Sequence, residues 1–342
     1  MKAVRFHQHG GPEVLRYEDA PDPVPAPGWI LVRVRACALN HLDIWQRRGL
    51  ERVTIPLPHI SGADVAGEIT ALGEGVTAVR AGDRVMLQPG LSCGRCSRCL
   101  AGEDNFCPTY DVLGYQSDGG YAELVTVPAA NAVPLPEAID FTTAAAFPLS
   151  FLTAWHMLHT RARLVAGETV LVVAAGSGVG QAAVQLAKAA GARVIATAGS
   201  NAKVAMAKSI GADDVIDHHH DDVVARVREL TGRRGVDVVV EHVGVATWDR
   251  SVRSLARGGR LVTCGATTGH DATLDLRHLF ARQLSFLGSY MGGKPELLRA
   301  AELFFRGVVR PVVDRTFPLS ETAQAHRHLE SSAQFGKVVL AV

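Results

Sequence analysis

The chain has 342 residues, and its 35 lysines and arginines against 34 aspartates and glutamates give a net charge of +1. A chain of this length exceeds one typical hydrophobic core, so we expect two domains. A nearly neutral chain without a basic block gives no electrostatic support for nucleic acid or an anionic membrane as a partner. The N-terminus lacks an apolar signal region and no run reaches the ~18 apolar residues of a membrane span, so we expect a cytoplasmic protein.

Residues 1–150 are predicted to form the first domain. Its short alternating apolar runs, such as those at 30–35 and 64–69, are separated by glycine and proline. This pattern is typical of an antiparallel, partly closed β domain rather than of strand–helix–strand units.

The first domain contains a cluster of four cysteines with the spacing C-x2-C-x2-C-x7-C, namely Cys93, Cys96, Cys99 and Cys107. Four thiolates at this spacing can close around one tetrahedral ion, so we predict one structural zinc with no open coordination position. Two alternatives remain open, four free thiols or an iron–sulfur cluster, and Pro108 after the last cysteine matches a detail of such clusters. Clustered cysteines are also more typical of metal ligation in a reducing compartment than of disulfide bonds.

Residues 151–290 are predicted to form an α/β domain with a doubly wound parallel sheet. Its first unit comprises an apolar strand at 169–174, a small-residue turn at 175–180, a helix at 181–190 and a second strand at 192–197. Such a turn leaves bare backbone N–H groups at the start of a helix, which is how a dinucleotide pyrophosphate is bound. The predicted contacts are Ser177, Gly178, Val179 and Gly180.

This turn departs from the usual G-x-G-x-x-G pattern. Ala175 stands for the first glycine and Ser177 for the second, and Gly180 alone keeps its place. Alanine and serine are small but accept positive φ less readily than glycine. A plain strand–turn–helix without a nucleotide therefore remains the alternative.

Further strands are predicted at 215–216, 236–240, 260–263 and 284–287, with helices at 202–210, 223–230 and 248–255, and a single helix at 141–159 precedes the domain. Together they complete a six-stranded sheet of the Rossmann type, in which ligands bind at the carboxyl ends of the strands. The residues predicted to border the nicotinamide and its ribose are Val243, Gly244, Gly265, Ala266, Gly288 and Ser289.

The end of the second strand indicates which cofactor binds. A free ribose 2′-hydroxyl usually meets an acidic residue there, but residues 197–203 contain none. Ser200 and Lys203 instead suit a phosphate, so we predict NADPH, with NADH possible. Each has an alternative role, Ser200 as a helix N-cap and Lys203 as a solvated surface residue.

Four segments carry a family resemblance: the four-cysteine stretch, residues 62–67, the turn at 174–180 and residues 335–339. Together they resemble the medium-chain dehydrogenase/reductase superfamily, which includes the zinc alcohol dehydrogenases and the quinone oxidoreductases. The resemblance implies a GroES-like catalytic domain over 1–150, a Rossmann domain over 151–290 and a C-terminal segment, 291–342, that returns to the catalytic domain. It also implies a small-molecule substrate and a homodimer or homotetramer that pairs the edge strand at 284–288 across a two-fold axis.

The resemblance assigns three more residues. Thr153 matches the family threonine beside the nicotinamide, and Lys337 falls in the terminal segment and is predicted to contact the cofactor. His218 to His220 are expected to form an exposed loop, and the resemblance also allows His218 to stack near the adenine.

The positions of the family's catalytic zinc ligands differ in this chain. Asn40, Ala63 and Leu149 occupy them, and these residues together cannot hold zinc, which needs three or four soft or imidazole ligands. A substitute site made of His41, His59 and Asp64 remains conceivable. The chain resembles in this respect the quinone oxidoreductase branch of the family, which carries asparagine at the position of Asn40 and works without a catalytic metal.

The predicted function is therefore hydride transfer from NADPH to a quinone or an α,β-unsaturated carbonyl without catalytic zinc. The side-chain amide of Asn40 would stabilise the developing oxyanion, with help from the nicotinamide ribose hydroxyl or from Thr153, and Asp43 would orient the Asn40 loop. Two alternatives are a zinc alcohol dehydrogenase with rearranged ligands and a non-catalytic NADPH-binding protein.

Overall fold

The computed structural model describes residues 1–50 and 53–342. The chain divides into two compact units. The first comprises Met1–Leu149, Gly293–Phe305 and Pro311–Val342, and the second comprises Ser150–Gly292 and Arg306–Arg310. No helix within the described ranges is both long and apolar enough to cross a membrane.

The strands of the described residues, in chain order, are β1 (Lys2–Arg5), β2 (Arg16–Asp19), β3 (Trp29–Ala38), β4 (Asp64–Leu72), β5 (Arg84–Leu87), β6 (Gly90–Leu91), β7 (Asp111–Val112), β8 (Leu124–Pro128), β9 (Ala132–Pro134), β10 (Thr169–Val172), β11 (Arg193–Ala198), β12 (Asp214–Asp217), β13 (Val236–Glu241), β14 (Leu255–Thr263), β15 (Ser285–Gly288), β16 (Val313–Pro318) and β17 (Lys337–Ala341). The α-helices are α1 (His41–Arg48), α2 (Ser97–Leu100), α3 (Phe141–Ala145), α4 (Pro148–Trp155), α5 (Gly178–Ala189), α6 (Asn201–Ser209), α7 (Val223–Leu230), α8 (Val245–Ser254), α9 (Leu276–Ala281), α10 (Lys294–Phe305) and α11 (Thr322–Glu330).

The first unit is built on a seven-stranded sheet in the order β16-β17-β3-β4-β5-β9, with β8 pairing against β3. All of its pairs are antiparallel except β16 with β17. The long strand β3 lies at its centre, where Ile30, Val32 and Val34 are buried and the intervening Arg33 and Arg35 are exposed, as the period of two requires. The prediction of a largely antiparallel β domain is confirmed.

The second unit contains a six-stranded parallel sheet in the order β12-β11-β10-β13-β14-β15. Strand β10 lies in the interior of this sheet, and all four of its residues are buried, as expected for a strand covered by helices on both faces. This strand order is that of a doubly wound nucleotide-binding sheet, so the predicted α/β fold is confirmed.

Several predicted elements are wrong in their bounds. The helix predicted at 248–255 covers Val245–Ser254, and the strand predicted at 260–263 covers Leu255–Thr263. Two further cases have a clear physical cause. The single helix at 141–159 is interrupted into α3, α4 and a π-helical turn over His156–Arg161. Pro148 explains the first break, because proline has no N–H and disfavours helical backbone at the residue before it. The helix predicted to begin at Gln181 begins at Gly178, because the Ser177 hydroxyl accepts a hydrogen bond from the Gly180 N–H at 2.8 Å and caps it.

Candidate active site and cofactor-binding turn

The turn between β10 and α5 is held by the neighbouring strand β11. The Ala174 N–H donates to the Thr197 hydroxyl oxygen at 2.9 Å, and the Ala175 N–H donates to the Thr197 carbonyl at 2.9 Å. Ala174 has a φ of 52°, a conformation that costs an alanine more than a glycine. A Cβ added to Gly180 would lie 2.2 Å from the Ala174 carbonyl oxygen, so the packing of helix against strand requires this glycine.

The first turn of α5 has the chemistry that an anionic ligand needs. The N–H groups of Gly178 and Val179 have no acceptor within the helix, because they belong to its first turn. Unpaired N–H groups and the positive end of the helix dipole together favour a phosphate. The predicted cradle at Ser177, Gly178, Val179 and Gly180 therefore fits a pyrophosphate.

Ser177 has a second partner that the sequence analysis missed. Its hydroxyl lies 3.1 Å from Nε2 of His242, the residue that follows β13. Burial lowers the pKa of His242 to about 4, so the ring is neutral at physiological pH. His242 thus fixes the orientation of the serine that stands in the glycine-rich turn, and its only signal in the sequence was its place at a carboxyl strand end.

Glu241, also missed, shapes the loop after β13. Its carboxylate is fully buried and accepts hydrogen bonds from the N–H groups of Val243 at 3.1 Å and Gly244 at 3.0 Å, and from the Thr247 hydroxyl. Burial raises its pKa, and these hydrogen bonds oppose that rise. The carboxylate therefore orders Val243 and Gly244, two of the predicted cofactor contacts.

The predicted contacts at the ends of β13 and β14 lie close together. A Cβ on Gly244 would come within 3.0 Å of the Ala266 Cα, and a Cβ on Gly265 within 2.9 Å of the His242 carbonyl oxygen. At the end of β15 the Gly288 carbonyl accepts a hydrogen bond from Arg161 Nε at 2.7 Å. The backbone at these strand ends leaves no room for larger residues at Gly244 and Gly265.

Two predicted contact residues carry buried hydroxyls without a protein partner. The Oγ atoms of Thr153 and Ser289 make no hydrogen bond within the described ranges. Buried polar groups are rarely left unpaired in a native protein. Their state fits a site that is completed by a polar ligand such as a nicotinamide cofactor.

The end of β11 collects positive groups. Ser200 caps α6 by accepting the Lys203 N–H at 3.3 Å, and the rings of His218 and His219 lie 4.6 Å apart. Burial lowers the pKa of His218, and the charges of His219, Arg250 and Lys203 lower it further. The predicted cofactor residues Ser200, Lys203 and His218 therefore lie near one another, with Lys203 and Arg250 as the positive groups beside a neutral His218.

In the first unit, Asn40 belongs to a closed polar cluster. Its Nδ2 donates to Asp64 Oδ2 at 2.9 Å, and its Oδ1 accepts from the Lys337 ammonium at 2.6 Å. Lys337 also forms an ion pair with Asp64 at 2.8 Å, and the side chains of these two residues are 3% and 0% exposed. Lys337, predicted to contact the cofactor, is thus placed against Asn40 and Asp64.

Asp43 holds the backbone of Asn40. Its Oδ2 accepts the Asn40 N–H at 2.7 Å and the Tyr121 hydroxyl at 2.8 Å. Burial raises the pKa of Asp43 to about 6, although these hydrogen bonds oppose the rise. This arrangement suits the predicted role of Asp43 in orienting the loop of Asn40.

The positions that match the family's catalytic zinc ligands do not fit a metal. Asn40 is engaged as described, the Leu149 N–H donates to Asp64 Oδ1 at 2.7 Å, and Ala63 offers no ligand atom. Of the conceivable substitute ligands, His59 bonds instead to the Gly114 carbonyl at 3.1 Å. Apart from the four cysteines, the described residues bring no three His, Cys, Asp or Glu side chains together as a metal site.

The four cysteines do fit a metal. Their sulfur atoms all lie within 4.8 Å of one another, with Cys96 and Cys99 at 3.4 Å and Cys93 and Cys99 at 3.9 Å. Zinc–sulfur bonds of 2.3 Å in a tetrahedron place the sulfurs about 3.8 Å apart. Hydrogen bonds, first from the Cys93 N–H, lower the pKa of Cys107 to about 6, which favours the thiolate.

Comparison with known proteins gives concordant results over the whole chain. The family model described as "Alcohol dehydrogenase GroES-like domain" matches residues 26–137, and that described as "Zinc-binding dehydrogenase" matches residues 178–306. The quinone oxidoreductase of Pseudomonas aeruginosa is 36% identical, with 99% of each chain covered.

Solved structures agree with this. A crystal structure of an NAD-dependent alcohol dehydrogenase has a TM-score of 0.97 and 49% identity and covers 100% of both chains. A cobalt- and zinc-bound alcohol dehydrogenase from Pyrobaculum aerophilum has a TM-score of 0.91 and 37% identity, covering 100% of this chain and 99% of the other.

Proposed function

Because the chain belongs to the medium-chain dehydrogenase/reductase superfamily and is a dehydrogenase/reductase, we propose that it reduces a quinone or an α,β-unsaturated carbonyl with a nicotinamide cofactor and without catalytic zinc. One observation carries this proposal. At the family's metal-ligand positions, Ala63 and Leu149 offer no side-chain ligand atom, and the Asn40 amide is hydrogen-bonded to the buried ion pair of Lys337 and Asp64.

The cofactor would be held by residues of the second unit. The turn from Ser177 to Gly180 would bind the pyrophosphate, and the strand ends at Val243–Gly244 and Gly265–Ala266 would border the nicotinamide and its ribose. The unpaired hydroxyls of Thr153 and Ser289 would donate to polar atoms of the same ligand. When bound, the cofactor supplies the hydride.

Asn40 would stabilise the negative charge that develops on the acceptor oxygen. Its Nδ2 has two N–H groups, of which Asp64 takes one, and the residue is partly exposed. The second N–H is available to a substrate oxygen as an oxyanion donor. One neutral donor polarises a carbonyl far less than a metal ion does, so this site suits acceptors whose own conjugation spreads the charge.

We propose NADPH as the preferred cofactor. The support is the pair of positive side chains, Lys203 and Arg250, near the Ser200 hydroxyl and the neutral His218 ring, a combination that suits a 2′-phosphate. The cysteine cluster would hold one zinc with a purely structural role, since all four positions are filled by protein ligands.

We also propose a homo-oligomer. Strand β15 pairs with β14 on one side and ends the sheet on the other, which leaves an edge for a second copy of the chain. Light scattering of the purified protein would give its mass, and a monomer at micromolar concentration would refute this.

A second function is favoured by one finding, the 49% identity with a structure named as an NAD-dependent alcohol dehydrogenase. In that case the chain would oxidise alcohols with NAD+ and would need a second metal near Asn40, bound by rearranged ligands. The ion pair at Asp64 speaks against this, because a metal there would compete with the Lys337 ammonium.

One set of measurements separates the two functions. The purified enzyme is assayed with quinones, cyclic enones and alkenals in the presence of NADPH or NADH, and with simple alcohols in the presence of NAD+ or NADP+. Metal analysis is run on the same preparation. We expect reduction of the conjugated acceptors and about one zinc per chain. Alcohol oxidation that disappears on metal removal while the protein stays folded, or two metals per chain, would refute the proposal.

A further inference from the structure

A lysine ammonium is buried against the amide of Asn40. Lys337 has a side-chain exposure of only 3%, and its Nζ lies 2.6 Å from Asn40 Oδ1 and 2.8 Å from Asp64 Oδ2. We infer that Lys337 is a positioning residue, which fixes and strengthens the N–H donor that Asn40 presents to the substrate. The inference rests on the proposed function, because it requires Asn40 to act on the acceptor oxygen.

The sheet of the first unit brings the three side chains together. Strand β17 runs antiparallel to β3 with Val339 opposite Ala38, and continuing this register by two residues sets Lys337 opposite Asn40. On the other side of β3, Asp64 begins β4 and lies opposite Ala38. Lys337 and Asp64 therefore lie on strands that flank β3, and Asn40 lies two residues beyond the end of β3, directly before α1. Side chains on strands are held more rigidly than side chains on loops, so the two charged partners fix the amide between them.

The partners of Asn40 dictate which way its amide points. An ammonium can only donate hydrogen bonds, and an ionised carboxylate can only accept them. The amide oxygen must therefore face Lys337 and the amide nitrogen must face Asp64. A flipped amide would set N–H groups against the ammonium and an oxygen against the carboxylate. Lys337 and Asp64 thus keep the amide nitrogen in place, with one N–H left for the substrate.

The ammonium also changes the amide electronically. A hydrogen bond from a cation to the amide oxygen draws electron density from the nitrogen and makes its N–H groups more positive. The effect is strongest when the bond is charge-assisted and shielded from water, as it is for a buried lysine. Lys337 would therefore strengthen the remaining Asn40 N–H as a donor to a developing oxyanion, without touching the substrate.

This role differs from a contact with the cofactor, which the sequence predicted for Lys337. A residue that binds the cofactor equally in the ground and transition states changes the KM for the cofactor, whereas one that acts only in the transition state changes kcat. A lysine that acts through Asn40 should also lose its influence once Asn40 is removed. Kinetics of single and double variants can therefore distinguish the two roles.

The experiment is a double-mutant cycle on the full-length enzyme with the best conjugated acceptor found. Lys337→Met, Asn40→Ala and their combination are compared for kcat and for the KM of NADPH, and thermal unfolding is followed in parallel. We expect Lys337→Met to lower kcat about tenfold or more while the KM of NADPH changes less than about threefold. In the Asn40→Ala background, the same substitution should lower kcat by less than about threefold.

The outcomes separate the two proposals. If Asn40→Ala leaves kcat unchanged, the proposed role of Asn40 fails and the role of Lys337 fails with it. If Asn40→Ala lowers kcat but Lys337→Met lowers it equally in both backgrounds, or acts on the KM of NADPH instead, only the inference about Lys337 is overturned.

Two further variants guard against loss of folding. Lys337→Met leaves the buried Asp64 carboxylate without its ion-pair partner, which is destabilising. The pair Lys337→Met with Asp64→Asn removes both charges, and we expect the same loss of kcat in it. The matched control is Lys294→Met, because Lys294 lies in the same unit and its ammonium binds the Ala130 carbonyl rather than Asn40. Its kcat should equal that of the wild type.

Discussion

Replacing Asp43 by asparagine should make the stability of the protein less dependent on pH. Burial raises the pKa of this carboxyl from an ordinary value of 3.8 to about 6 in the folded chain. The folded state therefore binds a proton more tightly than the unfolded state does, and stability is lost as pH rises between these two values. Asp43→Asn carries no charge at any pH, and its amide oxygen still offers two lone pairs to the Asn40 N–H and the Tyr121 hydroxyl.

The size of the effect follows from the change in pKa. One pKa unit corresponds to about 1.4 kcal/mol, so the charged form of Asp43 costs the folded state about 3 kcal/mol at neutral pH. Most of this destabilisation develops within a pH range in which unfolding can be measured. Between about pH 4.5 and pH 7.5, the unfolding free energy of Asp43→Asn should gain about 2 kcal/mol on that of the wild type.

Urea unfolding of the wild type and of Asp43→Asn at several pH values measures this difference in unfolding free energy. Taking the difference removes the contributions of all the other titrating groups, because the two proteins share them. Asp237→Asn is the matched control. Burial raises the pKa of Asp237, but the hydrogen bonds and charge of Arg234 outweigh it and lower the pKa overall, so the stability that this carboxylate contributes is complete above about pH 4. The difference between this variant and the wild type should therefore stay flat between about pH 4.5 and pH 7.5. A difference for Asp43→Asn that stays flat, or that falls with pH, would refute the reasoning.

Three further outcomes are expected. Cys107→Ser should reduce the bound zinc from about one per chain and lower the thermal stability, because it removes one of four ligands; zinc content and melting temperature on the same sample test this. Gly180→Ala should abolish cofactor binding by fluorescence titration, since the added methyl would lie 2.2 Å from the Ala174 carbonyl oxygen, and unchanged binding would contradict the close packing of the turn. Lys203→Glu should raise the KM of NADPH more than that of NADH, by about tenfold in their ratio, and equal changes would remove Lys203 from the 2′-phosphate site.

The parts of the fold that follow local rules were predictable from the sequence. The apolar run of β10 and the small residues after it indicated a buried strand followed by a tight turn and a helix, and the structure has all three. The bounds were less predictable where one side chain decides them. Ser177 caps α5 through its own hydroxyl, and this moved the start of the helix by three residues from the predicted Gln181 to Gly178.

The contacts of the candidate site were less predictable, because they join distant parts of the chain. Asn40 and Lys337 are separated by 297 residues, and no spacing rule connects them. Their meeting depends on the pairing of β17 with β3, which forms only in the completed sheet. His242 and Ser177 are likewise joined only because β10 and β13 are neighbours. Residue types therefore indicated which chemical groups the site would contain, but the order of the strands in the sheet decided which of these residues come into contact.

The charge of the groups beside Asn40 limits how strongly the proposed site could polarise a substrate. Lys337 carries one positive charge, and the carboxylate of Asp64 at 2.8 Å neutralises most of it. A zinc ion would bring two charges into direct contact with a substrate oxygen, whereas under the proposed function the ammonium would act on that oxygen only through the Asn40 amide. Such a site would stabilise a modest build-up of oxyanion charge but not a localised alkoxide. Quinones and conjugated carbonyls spread that charge over several atoms, and this is the reason for proposing them, rather than simple ketones, as the acceptors.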